Sequence, residues 1–344
     1  MDRPSAVLYV LIFSAALVAS LALTPVASHF ARRFGLQDQP GRGRAHLEPV
    51  SLMGGLAIFG AAALAAWILA PTARVELKGF LLAGFVVLVF GLQDDVTPMD
   101  PWIKFMAQVA SALVLVGFGT QVELTRIPVV DVVITVAWVV AVINAFNYSD
   151  NMNGLAAGLA AVSGTGFFVL ALIGDQYLVA ALAIALVGGS LGFLPSNFPK
   201  AKIFMGDAGS MFLGLMLAFL GIRLRFLDQP QSTTFVLPVL VLAVPLLDAA
   251  LVTVSRLRRG LRVTQGGSDH SSHRLVGLGM RPPAAVGLLW ATQLLGCLAA
   301  LAVLQLGTAL DVVVIASVCG AALGSLLYLE RVTITRTLPN SAAH

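Results

Sequence analysis

The sequence predicts an all-α, polytopic membrane protein, and three observations carry that prediction. Of 344 residues, 58% are hydrophobic and 11% charged, against about 25% charged in soluble domains, and the mean hydropathy is +0.92. The apolar residues fall in runs close to the ~20 residues one helix needs to cross a bilayer core. Most of the 21 Lys and Arg residues gather in alternate loops, as in a chain threaded repeatedly through a membrane. No compositional break marks a second domain, so one membrane domain over 1–344 is expected.

In chain order the runs are 6–27, 52–71, 77–93, 104–120, 128–146, 154–173, 177–196, 208–223, 233–255, 284–305 and 309–329. The first follows a start too weakly basic for a signal peptide and reads as a retained span. The second is rich in Ala and Gly and opens at Gly54–Gly55, small residues suited to close packing. The third ends in GLQDDVTPMD, which sets Asp94 and Asp95 beside hydrocarbon. The third and fourth runs are short, so ten or eleven spans are expected. The fifth leads into NAFNYSDNMNGLAAG, and the short loop LIGDQYL joins the sixth to the seventh. SNFPKAKIFMGDAGSMFLG introduces the eighth, with its helix expected to open at Ser210. The ninth carries Asp248 and runs into an arginine cluster and GGSDHSSHRLVGLG, after which two further spans close the chain. Cys297 and Cys319 lie inside apolar runs without CxxC spacing and read as small buried hydrophobes.

Fifteen of the 21 basic residues lie on one set of alternate loops, from Arg32 to Arg336, and six on the other. Basic loops face the cytoplasm, so the N-terminus is expected outside and the C-terminus inside. Topology accounts for the basic excess, and no nucleic-acid partner is implied. Asp94–Asp95 and the three polar clusters all belong to the basic side. The chemistry is expected there.

Carboxylates crowded at a membrane surface bind a divalent cation, or one is protonated and acts as a base or relay. Asp94, Asp95, Asp150 and Asp207 supply the hard oxygens that Mg²⁺ takes together with substrate phosphates. The alternative for Asp150 and Asp207 is helix capping, because each precedes an apolar run. IFMGDAGS adds glycines and helix amides suited to an approaching ligand, without the spacing of a Walker loop. His270 and His273 beside Arg274 suit a diphosphate, with zinc binding or a plain solvated loop as alternatives. Asp248 is expected to pair with Arg256 or a neighbouring helix. A cation-coupled transporter is the reading from another class, but transporters place their acids mid-span, and here only Asp248 lies well inside a run.

In order, spacing and side these motifs resemble the polyprenyl-phosphate N-acetylhexosamine-1-phosphate transferases, from about His46 to Gly279. The resemblance implies transfer of a sugar-1-phosphate from a UDP-N-acetylhexosamine to undecaprenyl phosphate at the inner leaflet of the cell membrane. Mg²⁺ (or Mn²⁺) is implied as the cofactor, UMP is released, and a homodimer is compatible. UDP-GlcNAc is the donor commonest in that family; a modified UDP-N-acetylhexosamine and UDP-MurNAc-pentapeptide are the alternatives. By the resemblance, Asp94, Asp95 and Asp150 are catalytic, with Asp94 the group that takes the proton from or orients the lipid phosphate. Asp207, Asp150 and Asp95 hold the metal. Asn144, Asn147 and Asn153 belong to the substrate-binding NxxNxxD region, and Asn197 and Phe204 are expected at the uracil. His270, His273 and Arg274 approach the diphosphate, and His46 with MGG at 53–55 forms the first cytoplasmic motif. Two departures stand out: DNMNGL has Asn151 and Asn153 where the family favours Gly and Asp, and Ser272 occupies a histidine place.

Overall fold

The computed structural model describes residues 5–39, 48–68, 75–125, 127–226, 229, 231–264, 267–306 and 308–332. Over the described residues each expected apolar run is mainly helical. The helices are α1 (Ala6–Arg33), α2 (Gly54–Ile68), α3 (Val75–Val96), α4 (Pro101–Gly117), α5 (Pro128–Ser149), α6 (Leu155–Ile173) and α7 (Tyr177–Asn197). They continue as α8 (Gly206–Arg223), α9 (Gln231–Val241), α10 (Ala243–Arg258), α11 (Ser271–Gly277), α12 (Pro282–Leu306) and α13 (Thr308–Glu330). The first loop adds two two-residue strands, β1 (Gln37–Asp38) and β2 (Val50–Ser51), paired antiparallel.

Among the described residues, eight helices are long and apolar enough to cross a membrane, or nine if α9 and α10, bent by 78°, count as one span. The other two expected spans, α2 and α4, are shorter apolar helices. At 1.5 Å per residue the 17 residues of α4 reach about 25 Å, short of a ~30 Å hydrocarbon core.

Three boundaries differ from the sequence expectation, and each moves a functional group. α3 runs to Val96, so Asp94 and Asp95 stand in its last turn rather than beyond it. α8 opens at Gly206, not Ser210, which puts Asp207 in its first turn. The ninth run breaks at Leu242, one turn beyond Pro238, whose ring and missing N–H weaken a helix. Gln293 of α12 closes this break: its Oε1 accepts from the Val244 amide at 3.0 Å and its side-chain amide donates to the Val241 carbonyl. Ser163 of α6 donates to that same carbonyl at 2.9 Å. Irregular backbone at membrane depth persists only where protein supplies such partners.

α8 is the axis of the bundle, buried without interruption over 208–222 and packed between α3, α5 and α2. Apolar burial gives little drive in lipid, so small residues bring the backbones together. A Cβ on Gly55 would lie 2.3 Å from the Gly209 Cα. This packing seats the N-terminus of α2 beside that of α8. α1 leans on α7 and α2, α6 on α7 and α12, and α13 is peripheral, with none of 313–330 buried.

Candidate active site

Four helix ends build the site. The first amides of α8 have no partner within their own helix and must be met from elsewhere. Asp95 meets them: its Oδ1 accepts from the Asp207 amide at 2.7 Å and its Oδ2 from the Ala208 amide at 3.2 Å. Capping is therefore real, but Asp95 performs it from α3, rather than Asp207 or Asp150 as the capping alternative supposed. Gly206 makes room for it, with φ +74° and a would-be Cβ 2.5 Å from the Asp95 Oδ2. Both Asp95 oxygens thus accept from the first amides of α8.

Asp207, so fixed, projects next to Asp94 and Lys104. Lys104, near the start of α4, donates to Asp94 Oδ2 at 3.1 Å and also to Asp207 Oδ2. The Met99 amide holds the other Asp94 oxygen at 2.7 Å. Asn147 of α5 donates to Asp207 Oδ1 at 2.6 Å and to Ser210 Oγ at 3.0 Å. Asp150, at the C-cap of α5, completes the acidic group. Burial, then the charges of Asp207 and Asp95, push its carboxyl well above the usual carboxylate range.

The arrangement bears on the cation that the resemblance implies. Among the described residues no three His, Cys, Asp or Glu side chains form a ready-made metal cage. Mg²⁺ does not require one, since it is held by one or two carboxylates with waters and substrate phosphates. Asp94 and Asp207 are two hard-oxygen donors that already share one cation, the Lys104 ammonium. The donor set fits.

A second layer joins the histidine loop to this centre. Of the two expected partners for Asp248 of α10 the neighbouring helix is the one found: it takes His270 Nδ1 at 2.8 Å and the Ser271 amide at 2.6 Å, at the head of α11. Arg256 instead forks onto Asp269 at 2.9 and 2.8 Å and lies over the Tyr148 ring. Burial works to raise the Asp269 carboxyl, but the hydrogen bonds and charge of Arg256 outweigh it and hold the group below its usual range. The Tyr148 ring meets His270 edge-on. Burial, and then His270, lower the pKa of half-buried His273. The two departures from the family pattern touch each other: Ser272 Oγ donates to Asn151 Oδ1 at 2.5 Å.

Other expected ligand contacts are absorbed by the fold. Arg274, 2% exposed, spends its guanidinium on the Asp269 and Leu329 carbonyls, Ser255 Oγ and Glu330. These contacts commit four of its five N–H donors to the fold. Asn197, also buried, accepts from the Gly154 amide at 2.7 Å and donates to the Ile203 carbonyl at 2.9 Å, tying two loops together. Asn144 pairs with Gln108, and Asn153 donates to the Pro199 carbonyl. Phe204 binds through its backbone: its amide donates to Ser51, and its carbonyl accepts from Gly54. The Gly54 of MGG is thereby anchored to the strand entering α8. His46 lies outside the described residues.

Sequence reasoning missed Lys104, which it counted only as a topological charge. The signal was a lysine near the head of an apolar run, ten residues after Asp94. Tyr148, which carries Arg256 and His270, had no signal, because an aromatic at a helix end is unremarkable until its neighbours are known.

Fold and site together define a polytopic membrane transferase with its acidic centre at one end of the helix bundle. Residues 77–225 match the family model described as Glycosyl transferase family 4. The chain is 31% identical over 282 residues to a probable undecaprenyl-phosphate N-acetylglucosaminyl 1-phosphate transferase of Bacillus subtilis, covering 79% of this chain and 78% of that one. It is 34% identical over 303 residues to a decaprenyl-phosphate N-acetylglucosaminephosphotransferase of Mycobacterium tuberculosis, covering 77% and 75%. Against a phospho-N-acetylmuramoyl-pentapeptide-transferase of Moorella thermoacetica it is 32% identical over 319 residues, covering 85% and 97%. The chain belongs to glycosyl transferase family 4.

Proposed function

We propose that the protein transfers N-acetylhexosamine-1-phosphate, with GlcNAc as the sugar, from a UDP-sugar to undecaprenyl phosphate and releases UMP. One observation carries the reading: Asp94, Asp95 and Asp207, with Asn147 and Lys104, converge from four separate helices in a chain of this family. The relatives' polyprenyl-phosphate GlcNAc-1-phosphate activities support the donor and acceptor. The reaction joins two anions, so repulsion must be offset. Asp207 with Asp94 would hold Mg²⁺, with Mn²⁺ as substitute, and the ion supplies charge neutralisation on the diphosphate and the departing UMP. Lys104 meets phosphate oxygen with a fixed positive charge. Asp94, pinned by Met99 and Lys104, orients the acceptor phosphate. Asn147 keeps Asp207 turned inward, and Asp95 fixes the helix that carries it. This centre lies on the cytoplasmic face of the inner membrane, with the N-terminus outside, and the product enters cell-envelope polysaccharide synthesis.

The test is a panel of UDP-sugars with purified protein, undecaprenyl phosphate and Mg²⁺. UMP release and a lipid-linked sugar should appear with UDP-GlcNAc and vanish without either lipid phosphate or divalent cation. UDP-MurNAc-pentapeptide belongs in the panel, given the 97% coverage of the Moorella relative; preference for it would replace the sugar but keep the chemistry. No lipid product from any donor, with ion flux in liposomes, would sink the reading.

A further inference from the structure

We infer that Asp248 is a positioning residue that acts on the transferase centre through His270, selecting the Nδ1–H tautomer and leaving Nε2 as the nitrogen that can meet another group. The inference rests on the transferase reading for its effect on rate, but its structural half stands alone. Asp248 and His270 are 4% and 5% exposed, so water cannot readily replace either as the other's partner. Asp248 Oδ2 lies 2.8 Å from His270 Nδ1, and its Oδ1 accepts from the next amide, Ser271, at 2.6 Å. Two contacts from one carboxylate fix both the ring and the start of α11 that carries it. A carboxylate at Nδ1 demands a proton there, which leaves Nε2 as the nitrogen that can meet another group. Among the described residues Nε2 has no hydrogen-bond partner.

The ring's surroundings point back to the site. Tyr148 lies edge-on to it, centroids 5.8 Å apart, on the helix that carries Asn147 and ends at Asp150. Ser272, two residues on, bonds Asn151 next to Asp150. The His270 segment is thus clamped to the acidic turn on one side and to α10 on the other. α10 is itself placed by the Gln293 contacts at the α9–α10 break. Nothing in the sequence required an acid inside a span at this point. The structure supplies a use for it.

The test reads the ring directly. In protein labelled with ¹⁵N-histidine, His270 (assigned by its loss in H270Q) should carry its neutral-state proton on Nδ1. Asp248→Asn, which can donate to Nδ1, should move that proton to Nε2 and lower kcat about 10- to 100-fold, the loss seen when the partner behind a metal-bound histidine is removed. Asp248→Glu should restore the tautomer and part of the rate. A wild-type ring protonated on Nε2, or an unchanged tautomer in Asp248→Asn, overturns the inference whatever happens to stability. A correct tautomer with kcat within about twofold of wild type in Asp248→Asn also overturns it. If the wild-type chain makes no lipid-linked sugar, the transferase reading fails while the ring measurement still decides the tautomer.

Discussion

At the scale of single residues, the site depends on a carboxylate reaching a helix end across a glycine. Gly206→Ala forces a side chain into the left-handed region, which costs ~1–2 kcal/mol, and drives a methyl into the Asp95 carboxylate. Asp95 must withdraw, Asp207 shifts with it, and kcat should fall on the order of 10²-fold in protein that remains folded by thermal melting. The Arg256–Asp269 fork is a stability element with a definite pH signature. The folded Asp269 carboxyl is held below its ordinary value, so its contribution is complete above pH ~4 and disappears as pH falls through the lower folded value. Asp269→Asn should therefore destabilise the protein by ~3–5 kcal/mol at neutral pH and flatten the acid limb of its melting-temperature profile. The Asn151–Ser272 bond couples two positions that depart from the family pattern. A double-mutant cycle with Asn151→Ala and Ser272→Ala should show a coupling of ~0.5–1.5 kcal/mol in unfolding; strict additivity would mean that the bond does not form in solution.

At the scale of elements, the α9–α10 break depends on one side chain from α12. Gln293→Leu fills nearly the same volume but leaves the Val244 amide and part of the Val241 carbonyl unmet, a loss of ~1–3 kcal/mol for each buried group. Because α10 carries Asp248, the same variant should also lower kcat, and Gln293→Glu, which keeps an acceptor for Val244, should lose less stability than Leu. The sequence foretold that a span lay here, from its apolar run, and that Asp248 sat inside it. It did not foretell the break, because the partners that make a break tolerable lie on α6 and α12, far along the chain. The same reasoning explains the acid pair. Adjacency of Asp94 and Asp95 was plain in the sequence, but the division of labour between them was not. It follows from the ~100° rotation between successive residues of a helix, which points Asp95 at the α8 amides and Asp94 at Lys104. Asn197 and Arg274 were read as ligand contacts because polar residues in a motif invite that reading; what the sequence did not show is that both are buried and tie neighbouring segments together.

At the scale of the whole molecule, loop parity was legible because it depends only on counting spans. The loops assigned to the basic side do meet one another: Ser51 reaches Phe204, Asp95 reaches Asp207, Ser272 reaches Asn151, and Arg274 reaches Leu329 at the end of α13. The loops of the other parity meet at the opposite end, where Arg225 joins Glu123, the Gln121 carbonyl and Gln176, and Arg223 pairs with Glu76. A miscounted span would have mixed the two sets. Contacts alone do not say which end faces the cytoplasm; the proposed orientation rests on the charge bias of the loops, since Lys and Arg resist transfer across the membrane. The expected outcome is therefore one-sided labelling. In a background without Cys297 and Cys319, Val75→Cys, at an exposed position on the sparsely charged end, should react with a membrane-impermeant maleimide added to intact cells. Lys202→Cys, exposed in the loop before α8, should react only after the membrane is opened. The reverse pattern would place the acidic centre on the outer face, beyond the reach of a cytoplasmic nucleotide sugar, and would remove the donor on which the proposed reaction depends.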